Sequence, residues 1–382
     1  MKHTTPTKAA LALAAVATIF GAAIVTAGPL DPPAGPITGS FKSLDEVEPR
    51  TAINAANTPG DNDWSPSLFR ITQPGSYYLT GNLTGAAGKH GIEIAASGVT
   101  LDLNGFQLLG VPGSLDGVTI SLEGLRLIAV VNGTLRNWGG TGVALGALSG
   151  ATGGRIEGVH SSDNGGQGIF AGQGSAVTNC STSYNGSVGI LTRDGCAIAN
   201  CSAFDNQGDG ILTSDSSVQN CSAMRNDGSG ISAFSGCTVT ACSVYANSGH
   251  GINASFTALI TDCSVSYNNL DCILAGDRCV IRGNACMAGG WNADGAGIHV
   301  TGTDNRVEAN QCNGSDRGIH VTAAGNIIIQ NTCSGNTLDW VFVANNQYGP
   351  IIDRRAFSTG AVNGFSGNDS LGSTHPNANF SY

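Results

Sequence analysis

The chain has 382 residues, 56 of them Gly, and only 12% of them are charged. Its formal net charge of −10, with no cluster of Lys and Arg interleaved with aromatic residues, excludes the usual electrostatic basis for binding nucleic acid. A polyanionic polysaccharide would need a bridging cation for the same reason. The Gly content alone would suit a disordered linker, but the regular spacing of Ile, Val and Leu indicates a packed repeat protein.

The N-terminus predicts an export signal. Lys2 and Lys8 precede an Ala-rich apolar run from Ala9 to Val25, which ends in small residues. We therefore expect residues 1–27 to be a signal peptide that is removed, and the mature protein to be secreted into the periplasm or outside the cell. An uncleaved anchor is the alternative, but the run is only weakly hydrophobic, and no later stretch is long and apolar enough to span a bilayer. Cleavage would remove two Lys and no carboxylate, and would change the net charge from −10 to −12.

Residues 28–70 are predicted to form an N-terminal segment with a short helical cap. In the stretch SLDEVEPRTAINAAN, residues 43–57, Ser43 suits the N-cap and Glu46 the capping-box position. We interpret this stretch as a helix that covers the exposed end of the repeat array that follows.

The next part of the chain is an internal repeat of about 21 residues. A Cys column recurs at a nearly constant interval, at Cys180, Cys201, Cys221, Cys242 and Cys263. An Ile stands ten positions after each Cys, at Ile190, Ile211, Ile231, Ile252 and Ile273. An Asn stands five positions after each Cys, at Asn185, Asn206, Asn226, Asn247 and Asn268. Three independent columns with one period establish a repeat protein.

The repeat unit predicts an all-β solenoid. Each unit is too short for two helices, lacks the apolar spacing of a helix, and alternates apolar pairs with Gly and Asn turns. It is typical of three short strands per turn of a coil, with successive turns about 4.8 Å apart in parallel sheets. The Ile and Cys columns then point into a narrow core, Gly and Asn occupy corners with left-handed backbone, and the Asn column passes amide hydrogen bonds from turn to turn.

The solenoid is predicted to span residues 71–345. Downstream, GIHVTGTDN (297–305) and GIHVTAAGN (318–326) are successive turns, and GIEIAASGVTLDLNGFQLLG (91–110) shows strand alternation upstream. Gly, Asn, Ser and Pro dominate residues 346–382, which we interpret as a C-terminal tail or cap.

Three motifs carry a resemblance to a known superfamily: VTLDLNGFQLLG at 99–110, the NCSxxxxNxxxGI units, and the GIHV units. With them the chain resembles the right-handed parallel β-helix proteins, the pectin-lyase-like group that includes pectate lyases, polygalacturonases and NosD-like secreted repeat proteins. The resemblance implies a right-handed parallel β-helix with three sheets. It implies no single activity, because this fold hosts lyases, hydrolases, epimerases, binding modules and adhesins.

The twelve Cys residues are predicted to be buried thiols rather than disulfides. Cys196, Cys237 and Cys279 are about two turns apart, roughly 9.6 Å, beyond the reach of a disulfide at about 7 Å. Neighbours in the Cys180 column are one turn apart, but parallel side chains keep their Cβ atoms wider than a disulfide prefers. A ladder of bridges is the alternative for an exported chain. No CxxC pair is present, so no zinc site is predicted.

The column two positions before the Ile column supplies a candidate catalytic site. It places His250 and Asp271 on adjacent turns, with Asp209 two turns from His250. A carboxylate beside an imidazole raises the imidazole pKa and orients the ring, which suits a general acid and base. The predicted catalytic residues are therefore His250, Asp271 and Asp209.

The stretch SGHG at 248–251 is also similar to the G-H-G element of polygalacturonases, which would place a catalytic role on His250. The paired Asp, NTD and RIK elements of that family are absent. Since the repeat itself supplies Gly249 and Gly251, a solvated turn residue is the competing interpretation of His250.

A second candidate lies on the GIHV units, where His299 and His320 stand one position past the Ile column on neighbouring turns. With Asp294, Asp316 and Arg317 on the flanking turns, they are predicted to bind substrate, Arg317 gripping a carboxylate or sugar hydroxyls. The alternative is that His is simply tolerated here on a solvent-facing strand. Two imidazoles without a third ligand predict no metal site.

Calcium is the one cofactor that the sequence suggests. Asp194 and Asp215 fall on adjacent turns, where a Ca²⁺ ion could relieve the repulsion between like charges. Asp277 lies several turns away, so solvated charges are the competing interpretation.

These observations favour an exported protein that binds polysaccharide, and in one version also processes it, along an elongated face. A structural or adhesive solenoid is the rival hypothesis, and a polysaccharide lyase or hydrolase is the third. Trp138, Trp291 and Trp340 discriminate between them: outward-facing rings favour sugar binding, and burial favours a scaffold.

Overall fold

The computed structural model describes residues 48–146, 150–353 and 375–382. Within these ranges the chain forms 39 short β-strands and no helix, and so no helix that could cross a membrane. The strands of each turn pair in parallel with those of the next turn, usually about 21 residues further along the chain. The result is a solenoid of about thirteen turns with three faces, called faces 1, 2 and 3 below.

Face 1 is a sheet of thirteen parallel strands, one per turn. Its strands are β2 (Ser67–Ile71), β5 (His90–Ile94), β8 (Val118–Ile120), β10 (Val143–Ala144), β12 (Ile169–Ala171), β15 (Ile190–Thr192), β18 (Ile211–Thr213), β21 (Ile231–Ser235), β24 (Ile252–Phe256), β27 (Ile273–Asp277), β30 (Ala296–Val300), β33 (Arg317–Val321) and β36 (Leu338–Phe342).

Faces 2 and 3 are joined into one 26-stranded sheet, because two long strands bend through both faces. Those shared strands are β9 (Ala129–Arg136) and β11 (Arg155–Ser162). Face 2 also has β1 (Thr51–Ala52), β3 (Gly75–Tyr78), β6 (Val99–Asp102), β13 (Ala176–Thr178), β16 (Ala197–Ala199), β19 (Ser217–Gln219), β22 (Thr238–Thr240), β25 (Leu259–Thr261), β28 (Val280–Arg282), β31 (Arg306–Glu308), β34 (Ile327–Ile329) and β37 (Gln347–Tyr348). Face 3 also has β4 (Leu83–Thr84), β7 (Gln107–Leu109), β14 (Ser181–Ser183), β17 (Ser202–Phe204), β20 (Ser222–Met224), β23 (Ser243–Tyr245), β26 (Ser264–Ser266), β29 (Ala285–Met287), β32 (Gln311–Asn313), β35 (Thr332–Ser334), β38 (Ile351–Asp353) and β39 (Asn379–Ser381).

The predicted Ile column forms the inner surface of face 1. Ile190, Ile211, Ile231, Ile252 and Ile273 pair in register and are completely buried. The column continues to Trp340, which lies one turn beyond Ile319. Each buried Ile contributes about 1.5 to 3 kcal/mol.

The predicted Asn ladder is also present, at the corner between faces 3 and 1. Asn226 is fully buried; its side-chain nitrogen donates to Asn247 Oδ1 at 2.9 Å and to the Ala203 carbonyl oxygen at 3.2 Å. Its own Oδ1 accepts the backbone N–H and the side-chain amide of Asn206. Each Asn therefore satisfies polar groups on two turns, which an apolar side chain at this position could not do.

The left-handed backbone of this corner lies one residue earlier than predicted. The residues with positive φ are not the ladder Asn residues but those before them: Tyr184, Asp205, Arg225, Ala246 and Tyr267. At the corner between faces 2 and 3, Asn179, Asn200 and Asn220 do adopt the left-handed conformation. The ladder position needs Asn for its side-chain amide. Left-handed backbone accounts for Asn only at the corner between faces 2 and 3.

The predicted N-terminal helix is wrong over the part that the structure describes. Residues 43–47 lie outside the described ranges; beyond them, β1 pairs Thr51 with Tyr77 of β3. Asn54 then ends the strand, its Oδ1 accepting the backbone N–H groups of Ala56 and Asn57. Pro49 and this Asn turn oppose a helix, and pairing with β3 satisfies the backbone instead.

All twelve Cys residues are free and buried, as predicted. The Cys180 column follows the corner between faces 2 and 3, whereas Cys286 pairs in register with its neighbour inside the strands of face 3. Burial raises the pKa of the thiols at the corner between faces 1 and 2, namely Cys196, Cys237 and Cys279. These thiols therefore act as small apolar side chains of the core.

Replacing Asn226 by Ala is expected to destabilise the solenoid by about 2 kcal/mol or more, because it leaves buried polar groups on both neighbouring turns without partners. The measurement is the midpoint of urea unfolding, followed by circular dichroism. Gln219→Ala, which removes an exposed amide on face 2, is the matched control and should leave the midpoint unchanged. Equal midpoints for both variants would contradict a structural role for the ladder.

Ellman's reagent is expected to react slowly with the native protein and with all twelve thiols after denaturation without reductant. Fewer than twelve thiols in the denatured, unreduced protein would contradict the free-thiol core.

Candidate functional site

The candidate site lies on the outer surface of face 1, where β24, β27, β30 and β33 follow one another. Their inward positions are taken by Ile and Ala or Val, so the polar residues between them face outwards. His299 of β30 pairs in register with His320 of β33 and Leu274 of β27. His250 and Asp271 stand on the turns that lead into β24 and β27.

Asp271 is the centre of the site. Its side chain is only 8% exposed, and its Oδ2 lies 3.1 Å from His299 Nδ1 and 3.3 Å from His250 Nδ1. The His299 contact is a hydrogen bond, whereas the His250 contact lies at ion-pair distance without a hydrogen bond. Oδ1 accepts the backbone N–H of Ala296 at 2.7 Å. One carboxylate thus faces imidazoles from the turn before and the turn after its own.

The electrostatics of the site keep Asp271 ionised. Burial by itself raises the pKa of Asp271, but contacts with His250 and His299 and the N–H of Ala296 outweigh it and lower the pKa below its usual value. A buried anion between two imidazoles favours their Nδ1–H form, which leaves Nε2 as the atom that can take up or release a proton.

His320 extends the cluster by one turn. Its ring stacks on that of His299, with centroids 4.5 Å apart and planes 16° from parallel. Burial, followed by electrostatic interaction with His299 and Arg317, lowers the pKa of His320. Neither His299 Nε2 nor His320 Nδ1 has a hydrogen-bond partner in the described part of the chain. The stack therefore holds two polar atoms that a ligand could satisfy after a small ring rotation.

The other predicted binding residues border this cluster. Arg317 pairs with Asp294, its Nη2 2.6 Å from Oδ2, and Asp316 Oδ2 accepts the backbone N–H of Gly295 at 3.1 Å. Both carboxylates thus hold the loop that precedes β30. Since Arg317 already pairs with Asp294, it could grip an acidic ligand only by exchanging this partner.

Asp209 lies in the same column but away from the cluster. Its Oδ1 accepts the backbone N–H of Ser229 on the next turn at 2.7 Å, the same kind of bond that Asp271 makes to Ala296. Ser229 occupies the turn between Asp209 and His250. The geometry gives Asp209 a turn-stabilising role.

The Gly residues of the SGHG stretch follow from packing. A Cβ atom at Gly251 would overlap the Val265 side chain and the Cys272 carbonyl oxygen, and one at Gly249 would press on the Ser229 backbone. The similarity to the polygalacturonase element thus rests on His250 alone.

The same column contains a second imidazole and carboxylate pair that the sequence analysis did not single out. His90 Nδ1 accepts the backbone N–H of Asp116 at 3.0 Å and lies 3.4 Å from its Oδ2. Burial lowers the pKa of His90, against the charge of Asp116. Because His90 Nδ1 is used as an acceptor, this pair stabilises the turn, unlike the Nδ1 atoms that face Asp271.

The turn beside Asp271 contains an insertion that the repeat pattern did not predict. Ile273 and Ile298 are paired neighbours in the column, yet they lie further apart in the chain than the preceding pair, Ile252 and Ile273. The stretch GGWNADG at 289–295 contains the extra residues. It presents Trp291, which is 60% exposed and packs edge-on against Tyr267 with centroids 4.9 Å apart. The longer spacing was the signal that could have located this loop.

The three Trp residues differ in their surroundings. Trp291 faces outwards, whereas Trp138 is fully buried and donates its Nε1–H to the Leu108 carbonyl oxygen at 3.1 Å. Trp340 is half-buried in the last turn of face 1, its Nε1–H donating to Ser381 Oγ at 2.7 Å. Trp291 therefore meets the criterion for sugar binding, and the other two have structural roles.

A shallow groove continues from the cluster along face 1. It has a volume of about 310 Å³ and is lined by Asn253, Leu274, Phe256, Asp277 and Thr301. Leu274 lies directly beside His299 in the sheet, so the groove adjoins the imidazole stack.

The predicted Ca²⁺ residues do not form a cluster of three ligands. Within the described ranges the one group of three potential ligands is Asp61, Asp63 and Glu93, near the N-terminal end. Arg70 contacts all three carboxylates, its Nε lying 2.9 Å from Glu93 Oε1. Burial raises the pKa of Glu93, and the charge of Arg70 opposes this. Arg70 already supplies the positive charge that these carboxylates require.

The parallel three-faced coil agrees with sequence comparison. A family profile described as a right handed beta helix region matches residues 116–258. The chain is a right-handed parallel β-helix repeat protein. No curated protein sequence is significantly similar to this β-helix.

Solved structures with the same fold include two enzyme modules from Azotobacter vinelandii. The A-module of mannuronan C-5 epimerase AlgE6 matches with a TM-score of 0.57 and 17% identity, over 72% of this chain and 91% of the module. The A-module of AlgE4 matches with a TM-score of 0.57 and 16% identity, over 72% and 90%. A tailspike protein of E. coli bacteriophage HK620 in complex with a pentasaccharide is less similar, with a TM-score of 0.49 and 13% identity over 76% and 68%. At these identities the likeness concerns the fold alone.

Asp271→Asn is expected to remove a contribution to stability that depends on pH. Because folding lowers the pKa of Asp271 below its ordinary value of about 3.9, the contribution is present above about pH 4 and is lost as the pH falls through the lower folded value. Urea midpoints of the wild type and the variant should differ at neutral pH, by the equivalent of about 2 kcal/mol, and approach each other in acid.

Asp294→Asn is the control, because its carboxylate is 69% exposed and a surface ion pair contributes little. Its midpoint should follow the wild type at every pH. A gap between wild type and Asp271→Asn that stays constant down to acid pH would refute the ionic role of Asp271.

Proposed function

We propose that this β-helix is an exported protein that binds a polysaccharide along the outer surface of face 1. The observation that carries the proposal is the buried Asp271 carboxylate between His250 and His299, on an open surface that runs along the solenoid axis. A structural protein gains little from burying a charge beside two imidazoles and leaving ring nitrogens without partners.

The shape of the site suits a polymeric ligand. His250, Asp271, His299 and His320 lie on four successive turns, so their polar groups follow the axis at intervals of about 4.8 Å. The adjoining groove lies beside this row, on the turns of His250, Asp271 and His299. Donors and acceptors that advance diagonally by one turn at a time can meet the repeated hydroxyl groups of a sugar chain.

The solved structures support a polysaccharide rather than another polymer. The two similar epimerase modules act on mannuronan, a polysaccharide. One fold hosts many activities, so this likeness alone would not indicate a ligand. It supports polysaccharide binding because the site of this chain has polar groups that can bind sugars.

The cluster also has the chemistry for proton transfer. With Nδ1 beside the Asp271 carboxylate, His250 can take a proton at Nε2 from a bound sugar and return it, while the carboxylate stabilises the imidazolium that forms. His299 Nε2 is buried, so the His299 ring would have to rotate before it could do the same. Processing of the bound glycan by His250 and Asp271, as a lyase, hydrolase or epimerase would perform it, is the finer version of this proposal.

Export is supported by the sequence of residues 1–27, which lie outside the described residues. The basic start, the apolar Ala-rich run and the small residues at its end have the composition of a signal peptide. A polysaccharide of a cell surface or of the surroundings would be accessible to an exported protein.

A structural or adhesive solenoid is the second candidate. It is favoured by His90 and Asp116, an imidazole and carboxylate pair of the same column that stabilises a turn, and by the burial of Trp138. In this candidate Asp271 has only the turn role that Asp209 has.

The test is a glycan array probed with residues 28–382, with and without Ca²⁺, in which each bound glycan is followed for new reducing ends and for unsaturated products. Binding is expected, and it should weaken about tenfold or more in Asp271→Asn and His250→Ala, since each removes a charged or polar contact. Product release that both variants abolish would establish processing.

His160→Ala is the control, because this exposed imidazole lies on the other sheet, against Ser181. It should bind glycan like the wild type. Absence of binding to every glycan, by a protein with unchanged circular dichroism, would reject the proposal in favour of the structural solenoid.

A further inference from the structure

A row of outward-facing side chains, all but one of them aromatic, follows the corner between faces 3 and 1. It consists of Tyr184, Phe204, Arg225, Tyr245, Tyr267 and Trp291, and is called the aromatic stripe below. The register places these residues on six successive turns, since Phe204 pairs with Met224 and Met224 with Tyr245. Arg225, next to Met224, takes the place of a ring on its turn.

The members of the stripe form two groups in mutual contact, Tyr184 with Phe204 and Arg225, and Tyr245 with Tyr267 and Trp291. Tyr184 and Phe204 meet edge to face at 5.6 Å, and the Arg225 guanidinium lies over the Phe204 ring at 5.2 Å. Tyr267 then contacts both Tyr245, at 5.5 Å, and Trp291, at 4.9 Å. These contacts hold the rings in place before any ligand arrives, which lowers the entropy cost of binding.

Three of the five rings are open to solvent, and Phe204 and Tyr267 are half-buried. Tyr184 is 56% exposed, Tyr245 42% and Trp291 60%. Rings at a solvent-facing corner add little to the core, so burial does not explain them.

Two of these aromatic residues have an unfavourable backbone conformation. Tyr184 and Tyr267 have φ values of 54° and 57°, a left-handed conformation that Gly or Asn would adopt with less strain. Tyr184 combines an unfavourable backbone with exposure and a ring contact, and the half-buried Tyr267 combines that backbone with two ring contacts, so both favour a role for the outer surface.

The stripe reaches the Asp271 cluster through the insertion at 289–295. The backbone N–H of Trp291 donates to the Asn268 carbonyl oxygen at 3.1 Å, and Asn292 Nδ2 donates at 2.9 Å to Oδ1 of Asn269, close to Asp271 in the chain. At its other end the loop leads into Ala296, whose N–H donates to Asp271 Oδ1. The loop therefore connects the aromatic surface to the carboxylate cluster.

The charge of this region is unsuited to an anionic chain. Residues 163–295, which contain the stripe and Asp271, have four Arg, no Lys, ten Asp and no Glu, a formal net charge of −6. Arg225 is paired with Asp205 at 3.0 Å. A polyuronate would be repelled here, whereas the apolar faces of neutral sugar rings stack on aromatic side chains without needing a cation.

We propose that the aromatic stripe binds a neutral polysaccharide that runs parallel to the solenoid axis and leads along Trp291 to the Asp271 cluster. This inference rests on the proposed function and names its ligand class. The spacing of the turns, about 4.8 Å, is close to the length of one sugar in an extended chain, so successive sugars can meet successive rings. A neutral ligand would also distinguish this chain from the epimerase modules of similar fold, whose name specifies mannuronan.

The experiment compares binding of two neutral polysaccharides, xyloglucan and laminarin, with that of two polyanions, alginate and polygalacturonate. Binding is measured by affinity electrophoresis and calorimetry, at low and high salt and with Ca²⁺ or a chelator. A neutral chain should bind in a salt-insensitive way, and Trp291→Ala and Tyr267→Ala should each weaken binding by roughly tenfold. Trp291→Phe, which keeps a ring, should recover most of the loss.

Trp64→Ala is the matched control. Trp64 is 68% exposed but lies at the N-terminal end, outside the stripe, so its removal should leave the affinity unchanged. Tyr267→Asn is a second variant that relieves the left-handed strain; it should unfold no earlier than the wild type in urea and still lose affinity.

The outcomes separate this inference from the proposed function. Binding of polyanions alone, abolished by a chelator, would overturn the neutral ligand class but leave a glycan-binding β-helix. Binding of a neutral glycan with equal affinity by wild type, Trp291→Ala and Tyr267→Ala would overturn the stripe. Failure to bind any polysaccharide would reject both proposals.

Discussion

The strands of each turn form their backbone hydrogen bonds with the strands of the neighbouring turns. Such short strands have no stability alone, and their N–H and C=O groups find partners solely in the parallel strands before and after them. The Ile column and the Asn ladder are the side-chain counterparts of this constraint, because each residue packs on or bonds to its equivalent one turn away. The nearly constant period of the repeat follows from the need to keep these equivalents aligned.

Stacking also decides how a site can form. Asp271 receives one imidazole from the turn before and one from the turn after, although His250 and His299 are distant in the chain. Groups assembled in this way lie along the axis and are spaced by the turn height. A solenoid therefore favours elongated ligands with a repeat of their own, and the stacked His299 and His320 rings extend the site in that direction.

Departures from the repeat are concentrated where the stacking permits them. The insertion at 289–295 leaves the register of β27 and β30 intact, because the extra residues bulge outwards at a corner. A loop that bulges outwards leaves the core side chains in place, so it disturbs few contacts. This loop contributes Trp291, joins the aromatic stripe to Asp271, and holds the Asp294 and Arg317 pair. The irregular turn is thus the one with the most candidate functional groups.

The sequence by itself determined the all-β solenoid, the inward Ile column, the Asn ladder and the adjacency of His250 and Asp271, because a fixed period converts residue number directly into position along the axis. Three features were decided only by the tertiary structure. The contact of His299 with Asp271 is diagonal, and depends on how far each side chain reaches across the sheet. Trp291 lies in an insertion without equivalent residues on the neighbouring turns, so the repeat could not predict its position. Residues 51–52 form a strand rather than a helix because they pair with β3, a full turn further along the chain, and local signals do not contain that pairing.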